Sequence, residues 1–194
     1  MRHVVIEHPD VALPDAQLAQ ALQSLPQARR AVALRYRRPI DCKCSVLAYR
    51  LVEQLLADEY GIGKIGPWGF GLYGKPFLKE YPTLHFNLSH CPHAVACVVA
   101  DHPVGIDVEG MIDYNSDLLH RICSPQETER ILAAPSPRCE LTTLWTQKEA
   151  LMKCDGIGLC NDLTTVLQHH DRYHLETHHA PDYVLSLCHP RNKR

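Results

Sequence analysis

Asp107 and Glu109 stand two residues apart in the run VGIDVE, residues 104–109. In a strand, alternation puts Val104, Ile106 and Val108 on one face and sets both acids side by side on the other. Two carboxylates held that close repel each other unless a positive charge lies between them. A hard divalent cation meets that need, and magnesium takes oxygen ligands. A solvated strand face carrying two acids has the same spacing, and taken alone the pair is more simply read that way. A second set lies on residues 141–155, where Trp145, Glu149 and Lys153 recur every fourth position and so line one side of a helix. Glu149 could add a third oxygen to a cation or act as a base. Lys153 could meet negative charge that builds on a leaving phosphate. The plain alternative is a surface Glu–Lys ion pair worth about 0.2–0.5 kcal/mol.

The remaining elements have to bring these two groups together. Residues 1–6 read as a strand, and 15–36 as mostly helix, broken at Pro26. A helix is expected over 43–60, because Leu47, Leu51 and Leu55 repeat at four, Val52 and Leu56 sit beside them, and Gly61 stands at the C-terminal stop. The glycine-rich stretch 61–76 reads as a loop with room for a short strand. LHFNLS (84–89), AVACVVA (94–100) and VGIDVE read as strands, the last two joined by Asp101, His102 and Pro103. Ser124-Pro125-Gln126-Glu127 is a capping box that opens a helix, and it accounts for Glu127 without any chemistry. The helix over 141–155 ends at Gly156. Strands near 163–167, 172–177 and 182–188 and a frayed tail at 191–194 complete the chain. The expected architecture is α+β: two similar lobes, 1–100 and 101–194, each a small antiparallel sheet with a long helix packed on it. Without a flexible linker, the lobes would pack closely and leave a cleft between them.

Composition narrows the class. The chain has 194 residues, 45% hydrophobic and 22% charged, with a formal net charge of −2, which does not fit a nucleic-acid-coating protein. No apolar run reaches the roughly 18 residues of a membrane span. The start, MRHVVIEHPD, lacks the apolar core of a signal peptide, and a cytoplasmic location is expected. The nine cysteines include no CxxC pair and read as small buried hydrophobes in a reducing compartment. The histidines crowded at 169, 170, 174, 178 and 179 are too loosely spaced for a metal site and read as polar surface.

Taken in order, GKPFL (74–78), FNLSH (86–90), GIDVE (105–109), CSPQE (123–127) and WTQKEALMKCDGIGL (145–159) form a series. It resembles the phosphopantetheinyl transferases, and specifically their longer, single-chain, two-lobed subgroup. The resemblance implies transfer of the phosphopantetheine arm of coenzyme A to a serine of an acyl or peptidyl carrier protein, with adenosine 3′,5′-bisphosphate as the other product. It also implies magnesium held by Asp107, Glu109 and Glu149, with Glu149 as base and Lys153 on the leaving phosphate. Lys75 and Pro76 would lie near the adenine end of coenzyme A, Ser89 and His90 near its phosphates, and Asp107 and Lys153 would also contact it. Lys43 matches the basic residue that the family places before the long helix. Arg29, Arg30, Arg35, Arg37, Arg38, Lys43 and Arg50, set against Asp41 alone, could grip the 3′-phosphate and attract an acidic carrier, or could simply be a solvated helix face. A chain that holds both lobes is expected to work as a monomer.

Overall fold

The computed structural model describes residues 1–158 and 162–191. In order, the elements are β1 (Arg2–Glu7), α1 (Pro9–Ala12), α2 (Asp15–Ser24), α3 (Gln27–Ala33), α4 (Pro39–Tyr60), β2 (Trp68–Phe70), β3 (Pro76–Leu78), β4 (His85–His90), β5 (Ala94–Ala100), β6 (Gly105–Gly110), α5 (Ser116–Ile122), α6 (Pro125–Ala133), α7 (Pro137–Asp155), a 3-10 stretch (Leu163–Arg172), β7 (Tyr173–His179) and β8 (Tyr183–Pro190). They form two three-stranded antiparallel sheets, β1-β5-β4 and β6-β8-β7, and the small hairpin β2-β3. The long helix α4 packs on β5, and α7 packs on β6 and β8. Each sheet therefore has its own long helix, as the α+β expectation required. Among the described residues no helix is long and apolar enough to cross a membrane.

The strand β5 shows how the two halves join. Val95, Cys97 and Val99 share a core with α4, while Ala94, Ala96, Val98 and Ala100 meet Ile106, Val108, Leu185 and Leu187 of the second sheet. Both faces of β5 are covered, which is why AVACVVA has no polar alternation. All eight described cysteines are free and seven are buried, in keeping with their reading as small core residues.

The fit between β6 and α7 is close at one glycine. A Cβ on Gly105 would fall 1.9 Å from the Ala150 carbonyl oxygen and 2.4 Å from the Cys154 amide nitrogen, both backbone atoms. Gly105→Ala must push β6 off α7, and we expect a loss of about 1–3 kcal/mol in urea unfolding. An unchanged midpoint would show that the contact is looser than described.

Several sequence expectations need correction. Residues 163–167 are not a strand. The β-branched Thr164, Thr165 and Val166 suggest one, but the Asp162 side chain accepts from the Thr164 amide at 3.0 Å and starts a 3-10 turn. Leu163, Val166 and Leu167 then pack on the cores beside α7, spaced as a helical stripe and not in strand alternation. The helix α5, capped by Asn115, was not expected. It is short and buries only Leu119 and Ile122, too little periodicity to read from sequence. Both long helices begin four residues before their expected starts, each with proline in its first turn. The glycine-rich stretch 61–76 holds one short strand, β2, as expected, and β3 begins at its last residue, Pro76. Leu159, the last residue of the WTQKEALMKCDGIGL run, lies outside the described residues, as does most of the 191–194 tail.

Candidate active site

The strands β4 and β6, one from each sheet, meet along polar side chains. The Ile106 amide donates to Asn87 Oδ1 at 2.9 Å, and Ser89 Oγ donates to Asp107 Oδ1 at 2.8 Å. From α7, Lys153 Nζ donates to the same Asp107 oxygen at 2.5 Å and to Ser89 Oγ at 3.2 Å. Asp107 is only 1% exposed, and its second oxygen, Oδ2, is buried without a hydrogen-bond partner. Buried polar atoms are nearly always paired, so this orphan calls for a physical reason.

Its neighbours are acids. Burial, followed by the charge of Asp107, pushes the Glu109 carboxyl up to about 7, against the pull of Lys153 and of the Trp145 indole N–H. Burial also raises Glu149, with Lys153 opposing and Asp107 adding to the rise. Lys153 Nζ lies 3.9 Å from Glu149 Oε2, one helical turn away. As the side chains stand, no three His, Cys, Asp or Glu groups among the described residues converge as a metal cage. The donor chemistry nevertheless fits magnesium: three carboxylates, one with an orphaned oxygen, are balanced by one ammonium.

The raised Glu109 gives a test on protein stripped of divalent cations. A carboxyl whose pKa is raised on folding binds more protons folded than unfolded, so its stability contribution is lost as pH rises from about 4.5 to about 7. Glu109→Gln removes that loss. We expect it to gain on the order of 1–2 kcal/mol over wild type between pH 5 and pH 8 in urea unfolding, a figure reduced for the partial exposure of the group. A pH-independent difference would remove Glu109 from the acid cluster.

Beside this cluster lies a cleft of about 260 Å³. Tyr73, Lys75 and Pro76 form one wall, Asn87 the floor nearest β4, and Glu149 and Lys153 the α7 side. Two glycines fold the end of α7 against the first wall. Gly156 (φ 70°) and Gly158 (φ 68°) are left-handed, and a Cβ on them would meet Lys75 Cδ at 3.2 Å and Tyr73 Cβ at 3.1 Å. Lys75 is partly committed to structure: its Nζ donates to the Val104 carbonyl (3.0 Å) and to that of Cys154 (2.9 Å), in the last turn of α7.

The structure brings Asp107, Glu109, Glu149, Lys153, Ser89, Lys75 and Pro76 to one place. His90 ends β4 next to Ser89, close enough for the charge of Lys153 to act on it. It lies 3.5 Å from the Tyr36 hydroxyl with the rings edge to face, and burial lowers its pKa. Lys43 is not among the cleft residues. Its Nζ is held at 2.7 Å by both Asp10 and Asp15. The capping box at Glu127 is present, but it is only part of that residue's role. Glu127 Oε2 also pairs at 2.7 Å with Lys148, a fully buried lysine that further donates to the carbonyls of Ile122 (2.7 Å) and Leu163 (2.9 Å). Lys148 fixes α6 and the 3-10 stretch to α7 and so braces the helix that carries Glu149 and Lys153. Sequence reading passed over Lys148 and Asn87, although both lie inside the quoted motifs.

Comparison with known proteins follows the same lines. The chain is 31% identical to the 4′-phosphopantetheinyl transferase psf-1 of Bacillus pumilus, over 77% of this chain and 65% of that protein. A Bacillus subtilis 4′-phosphopantetheinyl transferase is 31% identical over 68% of this chain and 60% of its own length. Sfp of Bacillus subtilis strain 168 is 29% identical, over 80% of this chain and 73% of its own length. The chain thus spans less than two thirds of the first two relatives. The model of the 4′-phosphopantetheinyl transferase superfamily matches residues 103–189, the stretch from β6 through α7 to β8. On these matches the chain is similar to the 4′-phosphopantetheinyl transferases, Sfp among them, and residues 103–189 carry the part that matches the superfamily model.

Proposed function

We propose that the protein transfers the 4′-phosphopantetheine group of coenzyme A to a serine of an apo acyl or peptidyl carrier protein and releases adenosine 3′,5′-bisphosphate. One observation carries this reading: the buried Asp107–Ser89–Lys153 cluster, with its orphaned carboxylate oxygen, lies against a cleft that exposes Glu149 and Lys153. The serine oxygen bonds to the phosphorus that bears pantetheine. The bridging P–O bond of the pyrophosphate breaks, and its electrons leave with the bisphosphate. Glu149, its pKa raised by burial, is a stronger base than a solvated carboxylate and would take the serine proton, directly or through a water. Lys153 meets the charge on the departing phosphate. Asp107, Glu109 and Glu149 would hold magnesium, which supplies charge neutralisation at the pyrophosphate oxygens.

In this reading residues 1–100 supply Lys75 and Pro76 at the adenine end and Ser89 and His90 at the phosphates, and residues 101–194 supply the acids and Lys153. Lys43, already paired with Asp10 and Asp15, has no phosphate role. One chain contains the whole site, so the working form is a monomer.

The test is chromatography of the nucleotide products. Adenosine 3′,5′-bisphosphate should form only when an apo carrier with its serine is present, and should be absent with a serine-to-alanine carrier. Bisphosphate released equally with either carrier would make the protein a pyrophosphate hydrolase instead.

A further inference from the structure

A second cavity lies in the first half, walled by α3, α4 and β2. It encloses about 460 Å³ and is lined mainly by apolar atoms, with Val32, Tyr49, Ile65, Trp68 and Phe70 among its walls and Arg29 as its charged group. That volume lies within the roughly 300–1,000 Å³ of small-molecule sites. Arg29 lies over both aromatic walls, its guanidinium carbon 4.4 Å from the Trp68 ring centre and 5.5 Å from that of Tyr49.

Two donors of this cavity, on Trp68 and Arg29, lack acceptors. Trp68 is 8% exposed, and its indole nitrogen has no hydrogen-bond partner. Arg29 Nε is likewise buried and unpartnered, and among the described residues no carboxylate stands within ion-pair distance of the guanidinium. Burial lowers the Arg29 pKa, and only Tyr49 and Tyr36 offset it electrostatically. Two acids lie nearby: Glu53 is bonded to the Tyr49 hydroxyl, and the Glu80 carboxylate lies against Gly66, a lining residue, but neither pairs with Arg29. Buried donors left unpaired beside an open apolar cavity are costly, and a ligand that brings an acceptor would satisfy them. A guanidinium is matched best by a planar oxyanion, while the aromatic walls favour a flat or chain-like apolar body.

From this combination we propose that the cavity is a binding site for small organic carboxylates with an apolar body, the carboxylate on Arg29 and the body against Trp68 and Phe70. The site stands apart from the acid cluster and shares no lining residue with the catalytic cleft.

The test is calorimetric titration of the whole protein with phenylacetate and octanoate, using phenylacetamide as the neutral counterpart. The indole N–H resonance of Trp68, assigned with Trp68→Phe, is followed in parallel. Saturable one-to-one binding of at least one carboxylate is expected, with the Trp68 resonance shifting in step. Phenylacetamide and the Arg29→Gln variant should each weaken binding by about tenfold or more. Val32→Trp, which fills the cavity and keeps the Arg29 guanidinium, should block binding as well. No saturable binding of either carboxylate, equal binding of the amide, or unchanged affinity in Arg29→Gln would each overturn the proposal.

Discussion

Asp107→Ala is expected to lower the proposed phosphopantetheine transfer by roughly 10³-fold while leaving the fold in place. Asp107 touches both halves of the site, accepting from Ser89 on β4 and from Lys153 on α7 through a single oxygen. Its loss frees two donors. It also removes a buried charge that raises the pKa of Glu109 and of Glu149, so the effects on stability partly cancel and a melting shift of only a few degrees should result. Asp107→Asn keeps the shape and removes the charge. If charge is what matters, Asn should be as inactive as Ala. An asparagine variant with near wild-type turnover would show that Asp107 only packs the two sheets together. Glu149→Ala should be equally inactive, since in the proposed reaction it removes the base and a cation oxygen together.

The second large effect is on stability. Lys148→Ala should cost about 2–4 kcal/mol in urea unfolding, because it takes the cation from the part-buried Glu127 carboxylate, which keeps only the Ser124 amide, and strands the carbonyls of Ile122 and Leu163. The buried pair itself has a desolvation cost, so replacing both partners with methionine should recover part of the loss. If Lys148→Ala melts with wild type, the brace behind α7 has been misjudged.

The acid pair was legible because strand alternation alone sets Asp107 and Glu109 on the same face, and the helical repeat sets Glu149 and Lys153 in line. The sequence could not reveal that Lys153 would reach across to Asp107, because that contact depends on how α7 docks on β6. Docking in turn depends on Gly105, a residue with no side chain to attract notice. Lys148 was hidden for the opposite reason. A lysine in WTQKEA reads as solvent-facing, and only the tertiary position of Ile122, Glu127 and Leu163 makes its burial tolerable. Lys43 went the other way: its place before the long helix suggested a phosphate contact, but Asp10 and Asp15 lie next to it only after α1 and α2 fold back over α4. The 163–167 stretch misled because local β-propensity there yields to the packing of Leu163 and Leu167 against the α5–α7 core.

The most direct measurement is the intact mass of an apo carrier protein after incubation with this protein and coenzyme A, with magnesium and with the divalent cations chelated. One added phosphopantetheine on the carrier serine with magnesium, and none under chelation or with Asp107→Asn, is the predicted result. An unmodified carrier in every case, across fatty-acid, polyketide and peptide-synthetase carriers, would contradict the proposed transfer. Modification that persists under chelation would contradict the role given to the three acids.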